Sequence, residues 1–146
     1  MSSVSPPDTV PNNTANITTV VPLRAPPGSP GRINTRLTSH LDLSPGDGGT
    51  QAQVTFNQTR SAVTDNSGPS THEVPGRRGE NIVEGFVTRN PSGDGVWRFD
   101  FRGAPGFVPG SFLVDTGQVV SRQTHEIVFR VAPGVRRIRF RFRLED

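Results

Sequence analysis

The sequence has no cysteine and no tyrosine, and counting along it shows that all 16 of its basic residues are arginine, so lysine is missing as well. Without cysteine there is no disulfide framework, no thiolate nucleophile and no cysteine zinc site, and redox chemistry says nothing about compartment. The sequence pI of 11.2 follows from the same absences, because guanidinium groups titrate above about 12 and neither Lys nor Tyr titrates below them. Thirteen acidic residues hold the formal charge at only +3. The pI is therefore a poor argument for nucleic-acid binding, and the Arg-only usage fits a GC-rich coding bias. Long apolar runs are lacking too. No stretch approaches the roughly 18 residues of a membrane helix, and the start MSSVSPPDTVPNN has neither the basic opening nor the apolar centre of a signal peptide. These features predict a protein made in a cytoplasm, with no membrane partner. The 146 residues allow one small domain with appendages, which excludes a multidomain enzyme.

What is present divides near residue 50. Residues 1–50 hold 8 of the 14 prolines but none of the 9 phenylalanines and not the single Trp97. Ser5-Pro6-Pro7 and the run from Ala25 to Gly31 favour extended, polyproline-like backbone. This predicts an extended Pro/Thr-rich N-terminal arm over 1–50, carrying one or two short strands. Within it, Ile17-Thr18-Thr19-Val20-Val21-Pro22-Leu23 is β-prone and suited to joining the edge of another sheet. Ile33, Leu37, Leu41 and Leu43 fit strand alternation better than a helical stripe, because the Asn, Thr and Ser between them are poor helix formers.

From residue 51 the apolar period is two. Ala52, Val54 and Phe56 alternate with polar neighbours, and Ile82-Val83 and Phe86-Val87 flank Gly85 as in a strand with a bulge or kink. Trp97, Phe99 and Phe101 alternate with Arg98, Asp100 and Arg102 directly after the turn signal Asn90–Gly95, which predicts a hairpin over about 82–102. Further strands are expected at Phe112–Val114, at Val119-Val120 and at Ile127–Val131. In the last one Ile138, Phe140, Phe142 and Leu144 face one way and Arg137, Arg139, Arg141 and Arg143 the other. Six to eight short strands with no helix predict an all-β fold over 51–146, an antiparallel β-sandwich or small barrel. So small a core predicts oligomerisation or docking on a partner.

No pattern points to catalysis, a metal or a cofactor, and a non-enzymatic protein is expected. His40, His72 and His125 lack the spacing of a zinc motif and read as surface residues. There is no Gly-x-Ser-x-Gly elbow and no phosphate-cradling loop ending in Lys. Asp47 and Asp94 sit in Gly-Asp-Gly turns with a single carboxylate each, too few oxygens for calcium. The turns Ser44–Gly48 and Pro91–Gly95 echo one another through shared turn chemistry. The sequons at Asn12, Asn16 and Asn57 read as chance matches.

Four guanidinium groups on one strand face would repel unless solvated or paired. They fit a solvated edge strand that resists aggregation, pairing with acids of a neighbouring subunit, or phosphate contact. The last is disfavoured because residues 1–50 net to zero charge, where packaging a genome calls for a strongly basic arm. Trp97, Phe99 and Phe101 fit core burial better than a sugar-stacking platform.

The arm with its β-prone Ile17–Leu23 run, followed by a Cys-free β domain, resembles the organisation of small head-decoration (cement) proteins of tailed bacteriophages. The resemblance implies β-rich subunits, often trimers, on the outside of a virion's shell, with an arm that adds a strand to a major capsid protein. No functional residue is carried over from that family; β-propensity and charge make Ile17, Val20, Val21 and Leu23 of the arm and Arg137, Arg139, Arg141 and Arg143 of the last strand the expected partner-binding residues. A β-sandwich module binding carbohydrate or protein, and a small viral coat protein, are the alternatives.

Overall fold

The computed structural model describes residues 31–65 and 67–146. Among these, ten strands form two five-stranded antiparallel sheets that do not close into a barrel, so of the two expected architectures the sandwich forms. The strands are β1 (Arg32–Asp42), β2 (Gln51–Phe56), β3 (Arg60–Asp65), β4 (Ser70–Arg77) and β5 (Gly79–Val87), followed by β6 (Gly95–Asp100), β7 (Leu113–Thr116), β8 (Gln118–Arg122), β9 (Glu126–Val131) and β10 (Arg137–Leu144). Sheet I has the order β4-β1-β6-β9-β8 and sheet II the order β3-β2-β5-β10-β7. A single 3-10 turn, Pro45–Asp47, joins β1 to β2.

The period-two pattern explains the packing. Leu37 and Leu41 of β1, Phe99 of β6 and Ile127 and Phe129 of β9 point inward from sheet I. They meet Val54, Val83, Phe140 and Phe142 from sheet II. Phe99 contacts Phe140 edge-on at 5.1 Å between ring centroids, and Phe140 stacks on Phe129 at 5.6 Å, so aromatic pairs join the sheets at their centre. Phe107 and Phe112, from the long β6–β7 connection, cover one end against Phe101.

Several expectations need correction. The sandwich does not begin at residue 51. Its compact unit starts at Ile33, and β1 lies inside sheet I between β4 and β6 with Leu37, Leu41 and Leu43 buried. The strand expected from Ile33, Leu37 and Leu41 forms, but the lack of aromatics before residue 51 concealed that it completes the core. The hairpin over 82–102 does not form either, since β5 belongs to sheet II and β6 to sheet I. Only β2–β3 and β8–β9 join neighbours within a sheet among the described residues; every other connection crosses the sandwich. Turn composition marks where the chain reverses but not whether it returns beside itself or across the core.

Gly85 is neither bulge nor kink, for β5 keeps unbroken register with β10 and with β2. A Cβ there would lie 2.6 and 2.7 Å from ring atoms of Trp97, so the glycine makes room for the indole crossing from sheet I. His72, expected at the surface, is buried beside Phe56 with its Nε2 2.9 Å from Ser39 Oγ. The two echoing turns pack against each other. Asp47 accepts hydrogen bonds from the Ser92 backbone N–H, the Ser92 hydroxyl and the Ser44 hydroxyl, each at 2.8 Å. Asn57 sits at φ 51 in the β2–β3 turn, and its carboxamide accepts from Ile82 N at 2.8 Å and donates to Asn81 at 3.0 Å.

Candidate functional site: the outer face of sheet II

The arginine strand is not an edge. β10 lies between β5 and β7, and its outward side chains meet acids of its own chain. Register sets Arg139 opposite Glu84, and their ion pair spans 3.0 Å. Arg141 reaches diagonally to Glu80 at 3.2 Å. On the other side β7 carries a one-residue bulge, because Arg139 faces Thr116 while Phe140 faces Val114. The extra residue is Asp115, and the bulge aims its carboxylate between two guanidinium groups. It accepts from Arg141 at 2.7 and 3.0 Å and from Arg139 at 3.3 Å. Arg143 pairs with Glu145 at 2.9 Å.

These contacts set the electrostatics. Hydrogen bonds from Arg141 in the first place, helped by Arg139, hold the Asp115 carboxyl below its ordinary range. The hydrogen bonds of Asp115, and then of Glu80, push the Arg141 guanidinium further up. The pairs remain open to solvent, with Arg139 and Glu84 both 36% exposed, so each contributes little alone and their interest lies in the network.

Arg137 differs. Among the described residues it has no carboxylate partner, and its guanidinium carbon stands 4.4 Å from the centroid of the Phe86 ring. Arg136 stands 4.7 Å from the same ring and donates from Nε to the Val87 carbonyl at 3.1 Å. Beside this cluster runs a shallow groove of about 330 Å³, lined by Gln53, Glu84, Phe86, Thr116 and Arg137 among others. Phe86, Thr116 and Arg137 also line a second hollow of about 480 Å³, which extends toward Gln118 and Arg136.

The sequence singled out Arg137, Arg139, Arg141 and Arg143, and the structure gathers all four on this face. Ile17, Val20, Val21 and Leu23 lie outside the described residues. Glu80, Glu84 and Phe86 were not foreseen, although the alternation of buried Asn81, Val83, Gly85 and Val87 would have placed them outward together. No sequence signal finds Asp115, whose placement depends on the bulge. Trp97, Phe99 and Phe101 are at most 1% exposed, so they offer no platform for a sugar. Among the described residues no group of three His, Cys, Asp or Glu side chains is placed to hold a metal ion, and no helix is long and apolar enough to cross a membrane. Comparison with family models, curated proteins and solved structures finds no match to the chain.

Proposed function

We propose that the chain is a non-enzymatic structural subunit of a virion, a capsid-decorating (cement) or minor structural protein. It joins neighbouring subunits through its N-terminal segment and one side of its sandwich, as a homo-oligomer on a shell of other subunits. The observation that carries this reading is the position of the exposed apolar side chains. Of the four large ones among the described residues, Leu113, Val119 and Val120 fall on β7 and β8, consecutive strands that form one edge of each sheet. A sheet edge offers unpaired backbone groups, and apolar side chains beside them favour an added strand over water.

The fitting occupant is the Ile17–Leu23 run of a second copy. It offers five residues before Pro22, which has no N–H and ends a ladder, and β8 is five residues long. The bulge at Val120, where β8 shifts register against β9, keeps the free ladder short. Electron micrographs of native particles labelled with antibody against Ile33–Asp146 test the assignment. Labelling in a regular array on the outer shell is the expected result; protein found only free of particles contradicts it.

A further inference from the structure

We propose that the hollow at Phe86, Arg136 and Arg137 is a binding site for a single carboxylate carried on an acidic peptide segment. The contrast along one strand supports this. Arg139, Arg141 and Arg143 each have a carboxylate of their own chain, whereas among the described residues Arg137 and its neighbour Arg136 have none and share the ring of Phe86, Arg136 also donating to the Val87 carbonyl. The ring of Phe86 engages the faces of these cations without neutralising their charge, and an oxyanion nearby would do so through charge-assisted hydrogen bonds. Arg is suited to this because its planar fork keeps donor edges free while its face stacks.

Charge count selects the kind of anion. On this part of the sheet Arg139 and Arg141 are matched by Glu80, Glu84 and Asp115, and counting Arg136 and Arg137 with them sets four positive charges against three negative, which leaves one unbalanced. One carboxylate balances it. A phosphate backbone would bring several negative charges against three carboxylates already in place, Glu84 within the adjoining groove. The hollow is open and carries the hydroxyl of Thr116 and the amide of Gln118 beside the cations, which suits a short extended peptide. Thr116 and Gln118 of β7 and β8 border this site, but its cations, Arg136 and Arg137, lie outside the β7–β8 edge contact and Leu113, Val119 and Val120 lie outside this site, so variants at either set test one proposal without the other.

The test is an NMR titration of the full-length chain with three probes: the capped peptide acetyl-Gly-Asp-Gly-amide, its Asn counterpart, and inorganic phosphate. The Asp peptide is expected to shift the Arg136 and Arg137 Nε resonances and the Gly117 and Gly134 amides, binding about tenfold or more tightly than the Asn peptide. The variant R136Q/R137Q should abolish those shifts, and R143Q, outside the hollow, should keep them. Because Arg137 is exposed, R137Q alone leaves the fold intact and should weaken binding by itself. Equal shifts with the Asn peptide, stronger binding of phosphate, or unchanged binding in R136Q/R137Q would each overturn the proposal.

Discussion

Gly85 has no side chain because Trp97 fills the space one would need. A methyl group there would press on the indole and on Ile138 Cγ1, 3.0 Å away, so Gly85→Ala is expected to cost about 1–3 kcal/mol by overpacking. Trp97 Nε1 has no hydrogen-bond partner among the described residues, so Trp97→Phe loses packing without orphaning a polar group. In the double variant the smaller ring should recover part of the Gly85→Ala cost. Urea unfolding of the four-member cycle checks this, and strictly additive costs would contradict the contact. Asp47 makes a second residue-scale prediction. The Ser92 backbone N–H in the first place, then the Ser44 and Ser92 hydroxyls, hold its carboxyl below the ordinary value. Its contribution is therefore fully present above the unfolded value near 3.9 and is lost as pH falls through the lower folded value. Asp47→Asn should lower the urea midpoint at neutral pH and flatten its decline toward about pH 3. A parallel decline in both proteins would show that Asp47 contributes no such dependence. Asp47 in its Gly-Asp-Gly turn was legible as a turn residue. Its partner Ser92 was not, because the contact joins segments that only the folded chain brings together.

At the scale of elements, β10 was the most legible strand, since strict alternation of Arg with Ile, Phe and Leu fixes which face is buried. Alternation does not reveal neighbours, and so a central strand resembled an edge. What lets β10 sit inside a sheet is the pair of flanking strands that bring Glu80, Glu84 and Asp115 to it. Asp115→Asn removes the carboxylate shared by Arg139 and Arg141 and should lower the melting temperature slightly at low salt. The cost should shrink with added salt, because the lost term is a solvent-facing attraction that ions screen. Thermal melts of both proteins at low and high salt measure it. A cost independent of salt would mean that Asp115 acts through the backbone of the bulge rather than through its charge. The expected β5–β6 hairpin failed for a related reason. The turn at 90–95 was read correctly, but Trp97 packs onto Gly85 from the opposite sheet, which places β5 and β6 across the core from each other.

For the whole molecule, the all-β class and the two apolar faces could be read from periodicity, whereas the boundary could not. Aromatic content suggested a core beginning at 51, yet three buried leucines before it carry β1 into the middle of sheet I. On the proposed reading, the segment that reaches neighbours is about the first thirty residues, which include Ile17, Val20, Val21 and Leu23. The central claim is that this segment of one copy pairs with the β7–β8 edge of another. Sedimentation of the full-length chain beside Val20→Asp/Val21→Asp and Val119→Asp/Val120→Asp variants tests it most directly. The account predicts a wild-type oligomer and two monomeric variants whose thermal melts show intact sandwiches. A wild-type chain that stays monomeric as its concentration rises, or variants that assemble as the wild type does, would contradict it.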